Sequence, residues 1–146
     1  MSDRPAGEEL RPLLRDERPP SGAVVIVRGG PSSVGRLREH ARRTHDAYVL
    51  DDQPLWGVAV FCALDDVGTA SIDTLLQRFA SYRVVHLPTV GQLVASDFEL
   101  LPSFRRPHFT VRLEDDGERS LTRLLEALGL PGANPYHGRQ RPGRSS

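Results

Sequence analysis

Residues 82–113, YRVVHLPTVGQLVASDFELLPSFRRPHFTVRL, place a strand, a capped helix and a hairpin within one short stretch. Tyr82 to Leu87 reads as a strand, because Val84 and Val85 are β-branched and Pro88, which has no N–H to give a ladder, stops the run. Thr89-Val90-Gly91-Gln92 has the spacing of a capping box, with the Thr89 hydroxyl and the Gln92 side chain each serving the other's backbone. A short helix follows, with Val90, Leu93 and Val94 as its apolar stripe and Asp97 at its end. Phe98–Leu101 and His108–Leu113 then read as two strands joined by the six residues Pro102 to Pro107, an antiparallel connection. Alternation in the second strand sets Phe109, Val111 and Leu113 on one face and His108, Thr110 and Arg112 on the other. That polar row is the leading candidate for a site.

Upstream, Ala23 to Arg28 (AVVIVR) and Trp56 to Leu64 (WGVAVFCAL) are apolar on both faces, the pattern of strands covered by helices. The second has small residues, Gly57, Ala59 and Ala63, along one face, which predicts a helix lying close over it. Gly29-Gly30-Pro31-Ser32-Ser33 turns the chain into a helix capped by Ser32 or Ser33, with Val34, Leu37, Ala41 and Tyr48 marking its stripe. Ser71 caps another helix through Ile72, Leu75, Leu76 and Phe79. Ser120 begins the last, which Gly129 and Pro131 end. The expected fold is therefore a single small α/β (or α+β) domain, a mixed sheet of about five strands with about four helices packed on it. The alternation of strands and helices in its first two-thirds favours parallel pairs. The globular part spans 23–130. Residues 1–22, rich in Arg, Glu, Asp and Pro, read as a disordered arm in which Glu8–Arg15 is a candidate helix on a partner. Residues 131–146 read as a disordered basic tail with Arg139, Arg141 and Arg144.

A chain of 146 residues, 38% hydrophobic and 26% charged, can bury its own core. Its formal net charge is zero, so no global field draws it to nucleic acid or membranes. All 19 basic residues are arginine, which excludes a lysine Schiff base or a P-loop lysine. The one cysteine, Cys62, forbids an internal disulfide or a thiolate metal cluster, and its apolar neighbours mark it for burial. No stretch has the length of a membrane span and no leader pattern opens the chain, so the cytoplasm is the default location. Acidic pairs at Asp51-Asp52 and Asp65-Asp66 sit a strand's length apart, too far to share an ion; turn chemistry accounts for them. No cofactor or metal site is expected.

Two classes of function remain. The first helix carries Arg36, Arg38, His40, Arg42, Arg43 and His45 against Glu39, the most basic local surface in the sequence. The glycine turn beside Arg28, with Ser32, is a candidate anion cradle at that helix's N-terminus. These features favour a non-enzymatic module binding a protein or nucleic-acid partner through the arginine face or the flexible arms. The rival is a phosphodiesterase, ribonuclease or nucleotide-using enzyme acting through the polar strand face. His108-Phe109-Thr110-Val111 resembles one half of the signature of the two-histidine phosphoesterases, in which an H-x-[ST] sequence lies on each of two strands. The resemblance implies His108 as acid or base and Thr110 as a phosphate holder; one half is present, since His86-Leu87-Pro88-Thr89 has a different spacing. A broader version of the same site gathers His86, Glu99, Arg105, Arg106, His108 and Arg112, a general acid and base with arginines for the phosphorane.

Overall fold

Sequence order fixes the elements one after another in the computed structural model, which describes residues 18–27, 33–50, 52–103 and 106–138. They are β1 (Val25–Ile26), α1 (Val34–Ala47), β2 (Val49–Leu50), β3 (Gln53–Pro54), β4 (Gly57–Cys62), α2 (Ile72–Arg78), β5 (Val84–Val85), α3 (Val90–Ala95), β6 (Leu100–Pro102), β7 (His108–Arg112), α4 (Glu118–Leu128) and β8 (Gly132–Ala133). The N-terminal residues 1–17, the glycine turn with Arg28 and Ser32, Asp51, Arg105 and the end of the tail lie outside the described residues.

The caps follow the sequence. Ser33 accepts from the Arg36 amide at 3.2 Å, and Ser71 accepts from that of Thr74 at 3.2 Å. The capping box of α3 closes both ways, Gln92 N to Thr89 Oγ1 at 3.1 Å and Thr89 N to Gln92 Oε1 at 2.8 Å. Asp97, at φ 71, turns the chain left-handed just past α3, and Gly129 does so after α4. The start of α4 differs from expectation: the helix begins at Glu118, and Ser120 lies inside it. Gly117 has no side chain to cap with, so Asp115 replaces it, accepting from Gly117 N at 2.9 Å and from Ser120 Oγ at 2.8 Å.

The main sheet runs β1-β4-β7-β6 and every pairing in it is antiparallel. Residues 86–89 flank the other edge of β1 through antiparallel bridges, Val27 to His86 and Val24 to Thr89, so all five expected strand segments contribute to one run of neighbours. The parallel pairs expected from strand and helix alternation do not form among the described residues. A parallel crossover must carry the chain back along a whole strand, and α2 and α3, at 7 and 6 residues, are only about 10 Å long. After α1, the ribbon of β2 and β3 interposes a further reversal before β4 pairs with β1.

Directly paired residues of antiparallel strands share a face, and the core divides accordingly. One face holds Val25, Val27, Val58, Val60, Cys62, Phe109, Val111 and Leu113 under α1, α3 and α4. Cys62 is buried there and forms no disulfide. The other face holds Ile26, Phe61, Ala63 and Val85 beneath Leu75, Leu76 and Phe79 of α2. The helix expected over the small-residue face of β4 thus covers Phe61 and Ala63 at its end, while a Cβ on Gly57 would meet not a helix but Thr110 Cγ2 of the neighbouring strand, 2.5 Å away.

The domain extends past the expected boundary at 130. β8 pairs with β5, and buried Asn134 donates to Leu76 O at 3.3 Å and Phe79 O at 3.0 Å, taking up carbonyls at the C-terminal end of α2. Tyr136 packs on the α2 side of the sheet.

Candidate functional site

The β6–β7 hairpin builds the polar face in three rows. Its register, Leu100 to Val111, Leu101 to Thr110 and Pro102 to Phe109, continues one step further, because Ser103 N donates to His108 O at 3.1 Å. Since β7 also pairs with β4, the rows on the α2 side read Glu99, Arg112, Gly57; then Leu101, Thr110, Ala59; then Ser103, His108, Phe61. His108, Thr110 and Arg112 therefore share a face, while Phe109, Val111 and Leu113 enter the core opposite.

The hydrogen bonds of this face centre on Ser103, which the hairpin brings beside His108. Its Oγ lies 2.8 Å from His108 Nδ1 and 2.9 Å from Thr110 Oγ1. Ser103 and Thr110 are each only 2% exposed, whereas His108 is half-buried with its ring edge-on to Phe61 at 5.2 Å. A serine hydroxyl has one proton, and two arrangements keep that proton between these three groups. Either Ser103 donates to Nδ1 and Thr110 donates to Ser103, or Nδ1–H donates to Ser103 and Ser103 to Thr110. The first leaves the serine set up to lose its proton to the imidazole; the second makes both hydroxyls orienters of the ring.

The other expected members are dispersed. Glu99 and Arg112 close the exposed end of the face with a 3.6 Å ion pair. Arg106 turns to Asp65 in the loop after β4, in a two-pronged contact of 2.9 and 3.0 Å. The Asp65 carboxyl is held below its ordinary range by that hydrogen bond, with a further pull from the same charge. His86 lies on the opposite face of the sheet, because it pairs with Val27 of the α1 side. There it is 2% exposed and its Nδ1–H donates to Gly129 O at 2.8 Å, past the end of α4. His86 and His108 are thus separated by the sheet itself.

The arginine face of α1 divides into two stripes. Along its flank, Arg38 Nε donates to Asp116 O at 3.1 Å, Arg42 Nε pairs with Asp116 Oδ2 at 2.9 Å, and His45 stacks on Trp56 with ring centroids 4.0 Å apart. The two Asp116 contacts fasten α1 to the entry of α4, and the ring stack fastens it to the start of β4. The outermost ridge carries Arg36, Glu39, Arg43 and Asp46, all exposed, opposite buried Leu37, Ala41 and Thr44. The ridge alternates in sign, and Asp116 faces the flanking arginines, so the surface is charged but not a basic field.

Ser103 was missed in the sequence because it followed Pro102 in the hairpin connection. The signal for it was parity: extending the Phe98–Leu101 strand by two residues puts Ser103 on the face of Glu99 and opposite His108.

No protein-family model, curated protein or solved structure matches the chain. Among the described residues, no group of three His, Cys, Asp or Glu side chains is placed to hold a metal ion, and no helix is long and apolar enough to cross a membrane.

Proposed function

We propose that the protein is a cytoplasmic, non-enzymatic module that binds a protein partner through the outer ridge of α1. The observation that carries this reading is the alternation of charge along that ridge, Arg36, Glu39, Arg43, Asp46, on exposed helix surface. A phosphate backbone rewards uninterrupted positive charge, and each carboxylate set among the arginines opposes it. A protein surface carries both signs and can answer such a pattern residue by residue, which gives specificity and orientation. With Arg38 and Arg42 engaged by Asp116, the nucleic-acid version of the reading keeps little of the positive charge that recommended it.

The test uses the full chain as bait in a lysate of its own cells, comparing wild type, Arg43→Glu and His108→Ala. The reading expects a partner retained by wild type and His108→Ala and lost by Arg43→Glu. Equal capture by all three, or capture dependent on nucleic acid, refutes it.

A second reading keeps the phosphodiester or nucleotide chemistry on the β7 face. It is favoured by one observation, the 2.8 Å contact between Ser103 Oγ and His108 Nδ1. It expects hydrolysis of an activated ester or phosphodiester that disappears in both Ser103→Ala and His108→Ala. Activity surviving both substitutions removes it.

A further inference from the structure

The signs on the α1 ridge are self-complementary. Read from one end the ridge is plus, minus, plus, minus, at Arg36, Glu39, Arg43 and Asp46; read from the other it is the inverse. Two copies of α1 laid antiparallel, with a two-fold axis at the level of Ala41, bring Arg36 of each opposite Asp46 of the other and Glu39 of each opposite Arg43 of the other. Both pairs share the same centre, since 36 and 46 lie five residues to either side of 41, and 39 and 43 lie two. One register therefore sets opposite charges across from each other at all four positions, Asp46 doing so beside its own 3.4 Å contact with His45 Nδ1, and a two-fold contact requires this kind of match, in which residue i meets j and j meets i. The ridge runs over eleven residues, about 15 Å from first to last, a length over which antiparallel helices crossing at about 20° stay in contact.

We infer that the protein partner of this ridge is a second copy of the chain, docked isologously through α1. The inference rests on the reading of the ridge as the binding surface and names its occupant. All four ridge side chains are exposed and charged, and no apolar residue lies among them. The contact is therefore weak and governed by electrostatics: exposed ion pairs contribute little each, and a single helix ridge buries less than a stable dimer needs. Association belongs to concentrated protein at low salt, and it fades as salt rises from about 0.1 M to about 1 M and the screening length falls from about 10 Å to about 3 Å.

Charge reversal tests the register as well as the surface. In Arg43→Glu, symmetry turns both central attractions into repulsions, and sedimentation of the full chain should show self-association weakened about tenfold or more. Glu39→Arg should do the same. Mixing the two single variants restores both central pairs, so the mixture should associate as a heterodimer although neither variant associates alone. The double variant Glu39→Arg/Arg43→Glu should regain self-association. Circular dichroism of each variant checks that the helix is intact. A wild type that stays monomeric at low salt overturns the inference, as does a mixture or double variant that fails to recover. If the wild type is monomeric yet Arg43→Glu still loses a captured foreign protein, the ridge is the binding surface and only its occupant is wrong. If that loss is absent too, both readings fall.

Discussion

Replacing Gly57 by alanine puts a methyl group where the neighbouring strand leaves it less room than at any other described glycine. An ideal Cβ at this position stands 2.5 Å from Thr110 Cγ2 and 2.9 Å from the backbone oxygen of Val111. The carbonyl belongs to β7, paired with β4 on one side and β6 on the other, and is held by that pairing. The threonine can retreat only by rotating, and rotation draws its hydroxyl away from Ser103 Oγ, now at 2.9 Å in a site where both residues are buried. Overpacking of this kind costs about 1–3 kcal/mol, and losing a buried hydrogen bond adds about 1 kcal/mol. Gly57→Ala should therefore lower stability by about 2–4 kcal/mol, which at roughly 4 °C per kcal/mol takes roughly 8–16 °C from the melting temperature. Urea unfolding measures it: the midpoint should fall with the slope unchanged. Adding Thr110→Ser removes the methyl that clashes and keeps the hydroxyl, and should recover part of the loss. Gly35→Ala is the control, since only Ser33 Oγ, at 3.9 Å, comes near its Cβ on exposed helix; it should be neutral or stabilise by about 0.5 kcal/mol. A Gly57→Ala protein within 0.5 kcal/mol of wild type, by the usual scatter of surface substitutions, would refute the described packing of β4 against β7.

Three other expectations follow from the same contacts. His86→Ala removes a buried ring and leaves Gly129 O without its donor, so equilibrium unfolding should show a loss of about 2–4 kcal/mol with the α1 ridge still able to bind. Asn134→Ala removes the side-chain donor shared by the Leu76 and Phe79 carbonyls, which keep their backbone amide partners, and the acceptor of the Tyr136 amide, and calorimetry should register about 2 kcal/mol; deletion from Gly132 onward should cost at least as much, whereas a tail outside the fold would cost nothing. Asp65 and Asp115 have carboxyls held below their ordinary range, the first chiefly by the Arg106 hydrogen bond, the second by the Gly117 amide and then the Ser120 hydroxyl. Their stabilisation is complete above the unfolded-state value, about 3.9, and is lost as pH falls through the lower folded-state values. Acid titration of the melting temperature should accordingly be shallower below about pH 4 for Asp65→Asn/Asp115→Asn than for wild type.

Local chemistry was legible in the sequence, and long-range pairing was not. The alternation in His108–Leu113 gave the correct two faces of β7, and the capping box placed the start of α3, because both depend on neighbours within a few residues. Strand direction depends on how far each connection carries the chain. The sequence shows helical spacing in Ile72–Phe79 but does not show that one short helix cannot span the sheet. The arginine face of α1 was misweighted for a related reason: Asp116, which takes up Arg38 and Arg42, lies 74 residues beyond Arg42. Asp46, which alternates the sign of the ridge, is legible in the sequence at three residues past Arg43. The opposition of His86 and His108 across the sheet could not be read before the segment 86–89 was known to flank β1 while β7 flanks β4.

The claim that the protein acts through the α1 ridge is tested most directly by photo-cross-linking in living cells from single sites in the full chain, one at position 39 on the ridge and one at position 112 on the β7 face. Protein adducts from position 39, including a dimer of the chain itself, with none from position 112, are the predicted result. Adducts from position 112 alone, or nucleic acid cross-linked from either position, would contradict it.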